Sequence, residues 1–548
     1  MVTRREFHKG LLGVALASLA APRAMANFGT NAPGAYLNRL TFGATPESRA
    51  DFERLGLDGW LENQLAMPAT DPALEARLAA ARLRIEYEAG ESETGLPWPA
   101  MDEMRHLTLL NAPAADMLKY LDWDQPFDFS ERDRAGYEVI AASFIRATHA
   151  EAQLREVMAQ FWHDHFNVNA LKGEDTAVFF PAYDRMMRRH ALGNFRSLLG
   201  EVAHAPAMLY YLNNASSRAS PANENYAREL LELHTMGAPN YLNDLYDNWH
   251  EVPGAENGLA EGYIDQDVYE VARAFSGWTV GDGGWIDDGT DKPRTGEFFY
   301  ATLWHDPYQK RILGVEFEAN AAPMSDGEKV LDILAAHPAT ARYVTEKILR
   351  RLGLESPPEA FKAEIAALFQ STVQDEDQIA QVVRAIVLSE PFASTAPSKL
   401  RTPFEFLIAL YRATGTQVIE PQGDLDWMLT RTGWTQHQVH PPTGHSDHSI
   451  DWANTRALNG MVNFALYAHD GELEGIKFTP KVAVKTWGEY AAHWVGALNA
   501  PPDTVKAFLK GMEVDHGEAL PFEDDEYMLW GASNAIALAA LTPEFMFR

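Results

Sequence analysis

Apolar residues recur at steps of three and four along most of this 548-residue chain, and no alternating run is long enough to build a large sheet. That periodicity predicts a mostly α fold, a large multi-helix globular domain. Residues 151–166 carry the pattern clearly, with Leu154, Val157, Met158, Phe161 and His165 on one stripe. Residues 33–67 read as two short helices around a glycine-containing turn, and 225–235 as a helix stopped by Gly237. The same period marks 265–277, 326–352, 375–389, 403–414 and 532–541. Between these helices lie long insertions. Residues 240–262 are acidic and aromatic, and 277–300 are rich in glycine, aspartate and aromatic residues, with room for one small β-hairpin. A third loop, 433–451, carries histidines and prolines. Within the second insertion, Asp287-Asp288-Gly289-Thr290-Asp291 has calcium-binding residue types without the full loop spacing, so it reads as a plain polar turn.

The chain has no cysteine. Disulfides, iron–sulfur clusters and cysteine nucleophiles are thereby excluded, and any metal must rest on His, Asp, Glu or neutral oxygen donors. The N-terminus reads Thr3-Arg4-Arg5-Glu6-Phe7-His8-Lys9, then an apolar run over 10–21, then Ala24-Met25-Ala26. This is the pattern of a twin-arginine signal peptide, residues 1–26. The apolar run is too short to cross a hydrocarbon core of roughly 30 Å. The expected product is a periplasmic protein beginning at Asn27, one large helical domain over 27–548 with a sub-division near 320. Removing the leader, of net charge +3, takes the formal charge from −31 to −34. So acidic a protein is poorly suited to nucleic acid or anionic lipid, and no later segment predicts stable membrane insertion.

Two motifs carry most of the chemistry. Phe161-Trp162-His163-Asp164-His165-Phe166 places two histidines where a helix ends, so both side chains can turn toward one ion. The plainer reading is one core histidine and one exposed one. Asn223-Glu224-Asn225-Tyr226-Ala227-Arg228-Glu229-Leu230-Leu231-Glu232-Leu233-His234-Thr235 sets Glu229 and Glu232 on one helical face, with His234 in the last turn. Its plainer reading is an ion-pair network through Arg228. Taken as ligands, His163, His165, Glu229, Glu232 and His234 predict a single divalent transition-metal site for Zn, Mn, Fe or Cu. Asp267, near a helix start beside Asp265, and His305 in Trp304-His305-Asp306 are further catalytic candidates with Glu229 and Glu232. Trp278, Trp285 and Trp304 offer stacking platforms for a sugar-like or aromatic substrate. His437, His440, His445 and His448 crowd the 433–451 loop, and His445 is the substrate-binding candidate among them. No nucleophile elbow, phosphate loop or dinucleotide fingerprint is present, so no nucleotide cofactor is expected.

The residues resemble the bacterial family known as domain of unknown function 1800. The likeness runs from Leu37-Asn38-Arg39-Leu40-Thr41-Phe42-Gly43, through both motifs and Ala274-Phe275-Ser276-Gly277-Trp278, to Pro441-Pro442-Thr443-Gly444-His445 and Thr542-Pro543-Glu544-Phe545. Ser446 departs from the usual proline, and His448 is additional. The resemblance implies an exported helical protein, often encoded beside a second exported family similar to sulfatases. The expectation is a metal-dependent periplasmic enzyme, with hydrolysis preferred to oxidation. The alternative is a non-catalytic partner or assembly factor for a sulfatase-like protein.

Overall fold

A computed structural model describes residues 33–68, 71–286, 289–421, 423–469, 473–521 and 524–548. The segment read as a signal peptide, the expected first residue Asn27, and Asp287 and Asp288 of the polar turn lie outside the described residues.

Helix ends fall where side chains cap them. Thr402 accepts from the backbone of Glu405, and Glu405 accepts from the Thr402 backbone, which fixes the start of the Pro403–Thr414 helix. Proline also divides what the periodicity reads as one helix over 326–352. Pro338 starts a second helix, so Ser325–Ala336 and Pro338–Arg351 are separate elements, with the His337 side chain capping the second. That break gives Lys347 and Arg351 a direction of their own.

The fold is mostly α. Its strands, among the described residues, form only two-stranded ribbons. The hairpin expected in the second insertion is present, with Trp278–Asp282 antiparallel to Arg294–Tyr300. A second ribbon, Arg82–Tyr87 against Met101–His106, was not expected: the first strand alternates polar and apolar residues, but its partner Met-Asp-Glu-Met-Arg-His does not. The acidic insertion is a chain of single 3₁₀ turns tied down by a bridge between Tyr241 and Tyr263. One hydrophobic cluster extends from Tyr36 to Met546 and includes Trp162, Phe195, Leu230, Phe275, Ile348, Phe404 and Ala537. At its centre, the Gln153–His165 helix packs against Glu174–His190, and Arg134–His149 packs on both. The two sequence motifs meet at the C-terminal end of Gln153–His165.

Candidate functional site

That helix ends at Phe166, where the backbone leaves helical angles and the Trp162 indole N–H donates to Ala191 O at 3.0 Å. His163 and His165 are both buried, at 5% and 1% exposure, and they face different partners.

His163 Nε2 donates to Asp184 Oδ1 at 3.1 Å. The same carboxylate takes both arms of Arg188, one turn along its own helix, and Nη1 of Arg146 at 3.1 Å. His437 comes in from the third loop with a left-handed backbone (φ 55°), its ring centroid 4.4 Å from that of His163. His437 Nε2 lies 2.8 Å from Ser143 Oγ and 3.1 Å from Gln436 Nε2. Ligand-type atoms of His163, Asp184 and His437 lie within 4.8 Å of one another, and two imidazoles with a carboxylate are a set that iron and zinc accept. The surrounding charges decide otherwise. Burial alone would raise the Asp184 carboxyl, but Arg188 and Arg146 bring it well below the ordinary range. Burial holds His163 below its usual value and His437 well below it, so both rings are neutral. Two guanidinium cations already balance the carboxylate, and a divalent ion would add uncompensated positive charge in the core. The trio is a closed polar network.

His165 turns the other way. Its Nε2 donates to His234 O at 3.0 Å, and its Nδ1 accepts from Lys347 Nζ at 2.8 Å. Both ring nitrogens are therefore occupied, and His165 is not open to a metal. Lys347 is half-buried and lowered to about 8 by burial, a shift that Asp447 and Asp164 oppose. Asp164, beside His165, is pushed up to about 7 by burial, against the pull of Arg351. Its oxygens accept from Gln160 Nε2 and from the His445 backbone, each at 3.3 Å. Gly444 (φ 67°) makes that approach possible, since a Cβ there would stand 2.0 Å from Asp164 O. The 433–451 loop is thus laid on the helix end, with Asp447 held by Lys399 at 2.5 Å and Arg351 at 3.5 Å.

The second motif departs from the helix expected over 225–235. Glu224–Glu229 is α-helical, but Leu230–His234 is a π turn. Such a turn holds more residues than an α turn and is common at functional sites. Here it carries the His234 ring into the core at 0% exposure, 5.1 Å from the Phe166 ring, with neither nitrogen bonded. Burial and then Lys347 push His234 down to about 3. Glu229 and Glu232 stay half-buried, and among the described residues neither makes a hydrogen bond or an ion pair. Glu229 is raised by burial and then by Glu232. Arg228 instead reaches Asp265 at 3.3 Å and Glu224 at 3.5 Å. Tyr263 and Tyr343 lie near Glu232, and Tyr211 near Glu229, their phenols raised by burial and then by these carboxylates. Gly237 (φ 88°) lets the chain pass the Tyr343 ring, where a Cβ would stand 2.6 Å away.

The expected five-ligand cluster is therefore not assembled. His163 belongs to Asp184, His165 to Lys347 and His234 to the core, while Glu229 and Glu232 stand apart as a pair. Asp267 is a structural cap: it accepts from Ile264 N at 3.0 Å and Leu313 N at 2.7 Å. Its carboxyl is pushed up to about 6 by burial. His305 Nδ1 donates to Ser276 O at 3.0 Å, and its Nε2 lies 3.4 Å from Asp326, which also takes the buried Lys310. Trp278 is fully buried beside His204, and Trp304 is 5% exposed under Arg218, so neither is a platform; Trp285, 59% exposed, remains one. His445 stacks on Trp434 at 3.8 Å, with Nε2 on Thr435 O, which occupies its ring. Asp184, Arg146 and Arg188 were not foreseen, because nothing in their local sequence marks them as partners of His163. Lys347 lies in an ordinary amphipathic helix, so it carried no signal either.

The fold and this junction define a large, mostly helical protein built around two motif segments and a histidine-bearing loop. Residues 35–547 match the model of a family described as "Protein of unknown function (DUF1800)", and the chain belongs to that family. No curated protein and no solved structure matches it.

Proposed function

We propose that this is an exported, periplasmic hydrolase whose working face is the Glu229–Glu232 pair. The observation that supports the reading is two half-buried carboxylates, close enough that one raises the other, and neither in an ion pair, with Arg228 opposing the Glu229 shift only from beyond contact. Such a pair suits two uses. One carboxyl held protonated can act as acid while the other stays ionised as base. Alternatively, the pair receives a divalent cation, which would polarise a substrate oxygen and activate water. The imidazoles of the motifs are turned away, so the donor set is all oxygen and favours Mn²⁺ over zinc or copper. Half-buried Tyr343, beside Glu232, is the aromatic ring on which a sugar-like substrate would stack.

The test is hydrolysis of a panel of chromogenic glycosides, phosphoesters and carboxylic esters by the mature protein, with and without Mn²⁺. Glu232→Gln should lower the rate on the responsive substrate by about 10²–10⁴-fold with an unchanged melting temperature. A variant as active as the native protein removes Glu232 from the chemistry.

One observation favours the rival reading, a non-catalytic partner of a sulfatase-like exported protein. His163, Asp267, His305 and His445 each bond within the fold, His163 and His445 through Nε2. An inactive panel together with co-purification of such a partner would favour it.

A further inference from the structure

We infer that a cavity beside the end of the Pro403–Thr414 helix binds a small zwitterion of the amino-acid class, its carboxylate on Arg412 and its ammonium at Glu47 and Glu151. The site shares no residue with the Glu229–Glu232 pair, so the inference does not rest on the hydrolase reading.

The cavity holds about 660 Å³ between that helix end, the Pro46–Ala66 helix and the turn from Arg134–His149 into Gln153–His165. Its wall includes Arg412, only 8% exposed. Gly43 lets the chain pass the helix one turn earlier, since a Cβ there would stand 2.8 Å from Ala409 Cα. That approach brings Gly43 O to Arg412 Nε at 2.8 Å, and Thr148 O accepts from Nη1 at 2.7 Å. Both acceptors are neutral carbonyls, so the guanidinium is fixed in place with its charge unmatched. Nη2 bonds nothing among the described residues, and it is not sealed. Arg412 makes no ion pair there either. Glu47 acts on it only from beyond contact, against the burial that lowers it to about 9. A buried cation with no contacting counter-ion is costly unless a ligand supplies one.

Two more donors line the same cavity. His149 Nε2 accepts from Val418 N at 3.1 Å, and a backbone N–H only donates. Burial, and then Arg77 and Arg412, lower His149 to about 4, so its ring is neutral and its proton sits on Nδ1. That N–H and the indole N–H of Trp60, a residue 4% exposed, also bond nothing among the described residues, and neither is sealed. Unspent donors around an unmatched positive charge select an oxygen anion, and the planar guanidinium suits a carboxylate.

The mouth has the opposite sign. Glu47 and Glu151 are exposed lining residues without an ion pair among the described residues, whereas Asp51 is taken by Arg54 at 2.8 Å. A phosphate or sulfate passing these carboxylates is repelled. An amino acid sends its carboxylate inward and leaves its ammonium at the mouth, so both ends meet their complement.

The experiment is calorimetric titration of the mature protein with the twenty common L-amino acids, then with the amide and the N-acetyl derivative of the tightest. The amide, which lacks the carboxylate, should bind at least about tenfold more weakly. The N-acetyl form, which lacks the ammonium, should bind about three- to tenfold more weakly, because the mouth is exposed. No binding by any of the twenty overturns the inference. So does an N-acetyl form that binds as tightly as the free amino acid, which marks a plain anion site. Glu47→Gln with Glu151→Gln alters only exposed side chains. It should weaken the free amino acid about three- to tenfold and leave the N-acetyl form unchanged or tighter; unchanged affinity for the free amino acid overturns the assignment. Arg412→Lys should abolish binding, and a folded variant that binds like the native protein overturns it as well. Where Arg412→Lys does not fold, the double glutamine variant and the two derivatives decide.

Discussion

The two sides of one helix end differ in how their charge is settled. On the His163 side, Asp184 is enclosed by Arg146 and Arg188, every member is under a tenth exposed, and each imidazole is held neutral. On the His165 side, Lys347, Asp164, Glu229 and Glu232 are all half-buried, and neither glutamate makes an ion pair, Arg228 acting on Glu229 only from beyond contact. Residue types alone suggest the opposite, because the enclosed trio has the more metal-like composition. What separates the regions is the second layer of charge: a carboxylate already matched by two guanidiniums is structural, and one left unmatched is available.

The largest effect should come from opening the closed side. Asp184→Asn removes the carboxylate that Arg146 and Arg188 contact and leaves them only the nearby buried Glu156, and removing one partner of a buried pair costs about 3–5 kcal/mol. Thermal or denaturant unfolding measures it, and a loss under about 1 kcal/mol, the level of an exposed pair, would contradict the enclosure.

A smaller, graded effect should appear with pH. His163, His437, His165 and His234 all have folded-state values depressed below 6.5, with His234 down to about 3. In that window the unfolded chain binds more protons than the native one, so stability falls as pH drops below about 6.5. Asp184 adds its own loss only at lower pH, because its depressed carboxyl stabilises the fold above its unfolded value and stops doing so as pH falls through the folded one. From pH 7 to pH 4 these histidines should therefore lower the melting temperature, while Asp164 and Asp267, raised to about 7 and about 6, take up protons in the fold and oppose the fall. Asp164→Asn removes one opposing group and should steepen the decline over that range; a profile no steeper than that of the native protein would contradict the assignment.

The smallest effect belongs to the open side. Glu229 is raised in the fold, so its ionised form costs stability as pH rises through the folded value. At neutral pH, Glu229→Gln should leave the melting temperature unchanged or slightly higher. A clear drop would mean that the carboxylate has a structural partner after all.

Much of the fold was legible because it depends on local signals. Thr402 and Glu405 cap a helix at the expected residues, and the 278–300 hairpin lies in the insertion that left room for it. The sequence also brought the two motifs together, and they do meet, through His165 and the His234 carbonyl. Their chemistry was less legible, for three physical reasons. The π turn at Leu230–His234 rotates His234 away from the glutamates, and nothing in Leu-Leu-Glu-Leu-His distinguishes a π turn from an α turn. The local sequence offers a metal or Arg228 as the cation for the carboxylates, whereas the lysine that reaches His165 comes from 182 residues further along. Asp267 carried a carboxylate in a suggestive place, but two backbone N–H groups far apart in sequence use it as a cap.

The most direct test of the division is where a divalent ion settles. Crystals of the mature protein grown with Mn²⁺ and measured for anomalous scattering locate the ion without reference to any assay. The account predicts an anomalous peak at the Glu229 and Glu232 carboxylates and none beside His163, Asp184 and His437. A peak at the buried trio, with Asp184 released from Arg146 and Arg188, would contradict it.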